Sequence, residues 1–221
     1  MRSKRFVLRL ATLTVIVIAW HLTAQRAGAN PLIPNDIPAS DCRHTITTVE
    51  RAHGIPTELL SAISLAEAGR WDANRSAQIT WPWTVYAEGR GRYLPSKAAA
   101  IAMVKKLKAK GVRNIDVGCM QINLHFHAKA FASLEDAFDP QKNAEYAARF
   151  LTRLQAKHRS WSQAVAHYHS ATRKLNRPYR HRVMRFWHEE RRRINALRVA
   201  EARRQFEERR AKFQRTASRT N

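Results

Sequence analysis

Residues 57–69 read TELLSAISLAEAG. The segment follows Pro56, an acceptable neighbour for a first helical turn, and stops near Gly69, so its pattern predicts a helix. Leu60, Ile63 and Glu67 recur at steps of three and four, which sets them along one side. Glu67 thus falls on the stripe that should face the core, between Ala66 and Ala68. A carboxyl drawn out of water has its pKa raised, the condition a general acid needs near neutrality. A glutamate at the edge of the stripe, paired with an arginine, fits the same spacing.

The pattern beyond this segment is helical too. Ser96 should cap KAAAIAMVKKLKAK, whose Ala100, Ile101, Val104 and Leu107 share a face, with Gly111 ending it. Asp139-Pro140 starts a long helix with an apolar stripe of Ala144, Ala147, Leu151 and Leu154. Ser160 and Gln163 form a capping box for WSQAVAHYH. RPYRHRVMRFWHEE begins another helix, with Val183, Phe186 and Trp187 at packing spacing. No strong strand pattern appears, although TWPWTVYA fits a short strand or a packed loop. The expected fold class is all-α or mainly α.

The ends differ in composition from this centre. MRSKRFVLR is basic, LATLTVIVIAWHL is a short apolar run, and Ala27-Gly28-Ala29 offers small residues at a cleavage spacing. Residues 1–29 are therefore read as a cleaved signal peptide. The apolar run falls short of the ~20 residues needed to cross a bilayer as an anchor. Residues 30–41, with three prolines, form an extended lead-in. The compact domain covers 42–188, and 189–221 is a basic helical tail, either solvated or used against an anionic partner.

The formal charge of +23 would suggest nucleic acid in a cytosolic protein. Export and the lack of a base-reading motif exclude that partner and point to an anionic envelope surface. The expected location is the periplasm. Cys42 and Cys119 are the two cysteines. In an oxidising compartment they could form a bridge worth about 2–4 kcal/mol, or remain buried thiols. No zinc, dinucleotide or Walker-type pattern is present, so no metal or cofactor is expected.

Glycosidases commonly pair two carboxylates. Glu58, Asp72, Glu88 and Asp116 are the candidates for a partner to Glu67, and none is marked by the sequence. Glu58, nine residues back, points away on the same helix. Without a partner, the nucleophile would have to come from the substrate.

Four blocks, SLAEAGRWD, DVGCMQIN, NAEYAARFL and AVAHYHS, resemble in order and spacing the soluble lytic transglycosylases, relatives of goose-type lysozyme. The similarity spans roughly residues 42–175. It is nearest to the small specialised enzymes that open the wall for secretion, conjugation or flagellar assemblies. The resemblance implies a lysozyme-like helical domain with a groove for peptidoglycan glycan strands. It implies Glu67 as the single acid, then base, yielding a 1,6-anhydromuramyl end.

By the same resemblance Met120 and Gln121 would line the groove opposite Glu67, with Gly118 permitting close backbone approach. Tyr168 would reach the carboxylate or an N-acetyl group, or be a core tyrosine. Asn143 would bind substrate or order its helix, and His169 would bond substrate or pack. Cys119 replaces the usual leucine, which favours a staple to Cys42. Ala68 replaces a helpful serine. Trp81, Trp83, Tyr86 and Tyr93 would form a sugar platform or a local cluster. A hydrolytic muramidase using Asp116 or Asp72, and a non-catalytic wall-binding adaptor, are the competing readings.

Overall fold

The computed structural model describes residues 42–220. The signal peptide and the lead-in read from the sequence lie outside them. In chain order the elements are α1 (Cys42–Ala52), α2 (Leu59–Ala68), β1 (Gly69–Asp72), β2 (Ala77–Thr80), β3 (Thr84–Ala87) and β4 (Arg90–Tyr93). There follow α3 (Lys97–Ala109), β5 (Asp116–Val117), β6 (Ile122–Asn123), α4 (Leu134–Ala137), α5 (Pro140–His158), α6 (Trp161–His169) and α7 (Arg173–Thr220). The fold is mainly α, as expected, with two small antiparallel sheets, β1-β2 and β4-β3-β5-β6.

Two apolar cores hold these elements. The first joins α1, α2, α5, α6 and α7 through Ile46, Leu60, Ile63, Leu151, Val165 and Val183. The second packs β3 and β5 on α3 and Phe138 through Val85, Val104, Ile115 and Val117. Burying each such side chain contributes about 1.5–3 kcal/mol before entropy is charged against it. A helical lobe therefore meets a small sheet lobe, and the chain crosses between them just after α2 and again through residues 116–123.

Three of the expected caps form. Ser96 accepts from Ala99 N at 3.1 Å, Asp139 from Lys142 N at 2.9 Å, and Ser160 from Gln163 N at 3.4 Å. The start of α2 is different. Its N-cap, Glu58, sits in a left-handed conformation and makes no side-chain cap. The buried Glu50 carboxylate of α1 takes that role instead, accepting from Glu58 N at 2.6 Å and Leu60 N at 2.7 Å. A negative group at a helix N-terminus satisfies orphan amides and the dipole together.

The last helix departs most from expectation. It begins at Arg173, accommodates Pro178 in its second turn, and runs without a break to Thr220. The division placed at residue 188 therefore falls inside one helix. No helix among the described residues is long and apolar enough to cross a membrane. The strand content also exceeds expectation. TWPWTVYA does contain a strand, β3, and it pairs with β4 across a tight Glu88-Gly89 turn, both residues having positive φ. Paired positive φ values suit the twist of a two-residue hairpin.

Candidate active site

A groove of about 1120 Å³ lies between the lobes. Its floor carries Glu67 at the last turn of α2. Asp116 of β5, Gln121 and Tyr86 of β3 stand on the sheet side, and Tyr168, His169 and Tyr179 on the helical side. Glu67 gets there because α2 ends at once: Gly69 turns straight into β1, and a Cβ at 69 would sit 2.2 Å from the Leu65 carbonyl oxygen. Only glycine permits so close an exit.

Glu67 is half-buried, and burial pushes its carboxyl up to about 7. The Tyr179 hydroxyl and the positive charge of Arg182 pull it down, while the charge of Asp116 adds to the rise. The buried Tyr179 hydroxyl completes no hydrogen bond at ordinary geometry, so it acts on Glu67 as a nearby dipole. A carboxyl poised near neutrality can give a proton and take one back at the same pH. Asp116 is also raised, by burial, against a hydrogen bond from Asn123 Nδ2 at 2.6 Å.

Residues 116–123 form part of the groove wall, and their side chains divide between roles. Met120 is fully buried in the helical core and does not reach the groove. Its expected sugar contact is corrected: the residue is a packing group, and its main chain does the positioning. Asn143 is also fully buried and lies outside the groove lining. Its Oδ1 accepts from Met120 N at 2.9 Å, and its Nδ2 donates to Val117 O at 3.1 Å and Ala137 O at 3.0 Å. Asn143 is thus a brace for the loop, the structural option, and not a substrate ligand. The close approach permitted by Gly118 is to this side chain.

Gln121 does line the groove, with a positive φ of 45°. Such strain in a non-glycine residue is held only where the surroundings fix it. Here its Nε2 donates to Gly118 O at 2.9 Å and Thr84 O at 3.2 Å. The amide hydrogens are therefore committed to the protein, which leaves Oε1 as an acceptor rather than the donor–acceptor pair expected. Cys42 and Cys119 are joined by a disulfide, Cα–Cα 5.9 Å, and Ser64 donates to Cys119 O at 2.9 Å. The loop is tied to α1, α2 and α5.

Tyr168 donates to Met120 O at 3.0 Å, which satisfies its hydroxyl, yet the residue lines the groove. Burial raises its pKa well above the usual value, followed by the charge of Glu67. His169 stacks on Tyr179 at 4.6 Å, and burial followed by the Arg182 charge lowers its pKa, keeping it neutral at pH 7. Ala68 is fully buried and outside the groove, so its side chain leaves the groove's donors unaltered.

The aromatic stretch divides as well. Trp81 meets Trp83 edge-on at 5.5 Å, lies under the Arg70 guanidinium at 4.1 Å and donates to Leu94 O at 2.7 Å. Tyr93 donates to Gly69 O at 3.0 Å. These three make a local cluster that clamps β1, whereas Tyr86 alone of the four lines the groove. Tyr179, Arg182, Phe126 and His127 are groove residues that sequence reasoning missed. The first two sit where α7 crosses the groove, on a helix turn read only as packing. Among the described residues no group of three or more His, Cys, Asp or Glu is placed to hold a metal.

A helical lobe and a small sheet lobe flanking a lone half-buried glutamate define a lysozyme-like domain. Residues 85–184 match the family model described as the transglycosylase SLT domain. This stretch is similar to the lytic transglycosylase domain, a family that acts on peptidoglycan. The matched stretch covers the four-stranded sheet from Val85, the 116–123 loop and the start of α7; it begins after Glu67 and the β1-β2 sheet. No curated protein and no solved structure matches the chain.

Proposed function

We propose that the protein cleaves the β-1,4 bond between N-acetylmuramic acid and N-acetylglucosamine without consuming water. Glu67, protonated, gives its proton to the bridging oxygen, and the muramyl C1 develops positive charge as the bond breaks. The ionised Glu67 then takes the proton of the C6 hydroxyl of the same sugar. That oxygen closes on C1, giving a 1,6-anhydromuramyl end. Acid and base duties fall on one group because the nucleophile is already part of the substrate, at high effective concentration. The observation that carries this reading is a half-buried carboxyl, pushed by burial to about 7, on the floor of a groove of about 1120 Å³.

Around it, Gln121 Oε1 accepts from an acetamido N–H or a sugar hydroxyl, and Tyr86 and Phe126 offer apolar faces to sugar rings. The protein acts in the periplasm, exported by residues 1–29, where its substrate is found. The resemblance to small specialised wall-opening enzymes supports service to a secretion, conjugation or flagellar assembly.

One observation favours a second reading. Asp116 shares the groove with Glu67, and its charge raises the Glu67 pKa. Ionised, it could hold a water for attack, making the enzyme a hydrolytic muramidase. Mass analysis of a digest of purified sacculi decides between them. Anhydro ends support the first reading; ends heavier by one water support the second. In either case Glu67→Gln should retain binding to sacculi and release no soluble muropeptides. Release equal to that of the unmodified protein would overturn both.

A further inference from the structure

Helix α7 has two unlike sides. Tyr179, Val183, Phe186 and Trp187 face inward on the helical core, and Trp187 Nε1 donates to Thr57 O at 2.8 Å. Glu190 continues that side, paired with Arg43 and with Arg193. At ~3.6 residues per turn, the line opposite carries Arg177, His181 and His188 and then Val199, Phe206 and Phe213. Every glutamate of α7, at 189, 190, 201, 207 and 208, lies more than about a quarter turn away from this outer line. Glu201 pairs with Arg204 on the inner half.

The outer line is uncovered. Val199 is 64% exposed, Phe206 59% and Phe213 77%. Their seven-residue spacing would suit a seam with a second copy of the helix. The positions flanking such a seam are Arg198, Arg203, Gln205, Arg210 and Lys212, and the four charged ones would oppose like charges across it. The positions between them, Ala202 and Arg209, supply no large apolar knob. A flat anionic surface meets neither objection: the apolar side chains enter it, and the arginine stems spread to its charged groups.

We propose that residues 191–213 of α7 dock lengthwise on a phospholipid bilayer containing anionic lipid, with Val199, Phe206 and Phe213 entering the headgroup–acyl boundary. Arg192, Arg203 and Arg210 reach the lipid phosphates. Because the docking line is opposite the side of α7 that carries Tyr179, the bound helix leaves the catalytic domain on the face away from lipid. Docking fixes where the groove works and takes no part in cleavage.

The test uses the chain from Asn30 onward, which keeps every described residue and removes the apolar N-terminal run. It is sedimented with vesicles of phosphatidylglycerol and phosphatidylethanolamine, and separately with phosphatidylcholine vesicles. Binding is expected to the first only. The double substitution F206S/F213S should weaken it by at least about tenfold, since each residue removes an inserted ring. Release of muropeptides from sacculi by that variant should be unchanged. In F206W, indole emission should shift to the blue on adding the anionic vesicles. Lack of binding to those vesicles, or equal binding by F206S/F213S, overturns the proposal. Retention on sacculi that needs the phenylalanines, with vesicles ignored, would overturn it too and assign the face to wall polymer. None of these results bears on Glu67.

Discussion

Gly118 and the side chain of Asn143 compete for one place: a Cβ at 118 would lie 2.4 Å from Asn143 Nδ2 and 2.7 Å from its Cγ. Gly118 also has a φ of +83°, which other residues rarely adopt. Gly118→Ala therefore forces the amide from its three hydrogen bonds, two to the 117–120 loop and one to Ala137 O. Asn143→Ala removes the buried acceptor of Met120 N and the donor shared by Val117 O and Ala137 O. Each substitution should cost about 2–4 kcal/mol in denaturant unfolding. Both should reduce glycan cleavage although neither residue lines the groove. Full activity with native stability in Asn143→Ala would show that the loop needs no brace.

The disulfide acts on the same loop from the other side. It closes a separation of 77 residues between α1 and Cys119. Cys42→Ser should lower stability by about 2–4 kcal/mol, chiefly by freeing the unfolded chain. Thiol alkylation of the unfolded, unreduced protein should label neither cysteine.

Glu67 ties stability to pH with a definite sign. Its folded-state pKa is raised from 4.5 to about 7, so folding favours the protonated form. That contribution is complete below pH 4.5 and is lost as pH rises through 7. Glu67→Gln cannot titrate. The variant should therefore gain on the unmodified protein by about 1–3 kcal/mol between pH 5 and pH 8. Denaturant midpoints for both proteins at the two pH values measure it. Glu50, also raised to about 7 by burial, contributes the same slope to both proteins and cancels in the comparison.

Helices with local signals were legible in the sequence: Ser96, Asp139 and Ser160 each announce a start through their own side chains. Glu67 was legible because its departure from the apolar pattern is visible on one helix. Helix α1 carried a readable stripe in Cys42, Ile46 and Val49, obscured by the threonines around it. The strands were hard to read because they are two to four residues long, too short for alternation to register. Met120 was misplaced, and Asn143 left between two roles, for a different reason. A motif tells which residues recur together, whereas which of them turns inward depends on Asn143 reaching across from α5. Tyr179 and Arg182 carried no local signal, since only the crossing of α7 over the groove gives them their place.

Arg182 is exposed at the groove rim, and its charge holds the Glu67 carboxyl lower than burial alone would set it. The Tyr179 hydroxyl acts in the same direction and more strongly. In the proposed reaction the acid must be protonated at the start, so cleavage fails as pH rises through the Glu67 pKa. Arg182→Ala and Tyr179→Phe should each move that basic limb to higher pH, and Tyr179→Phe further. Arg182→Lys, which keeps the charge, should restore the original position. The measurement is the rate of muropeptide release from sacculi across pH 5–9 at saturating and at low substrate. A merely structural role for Arg182 would lower the rate at every pH and leave the limb where it was.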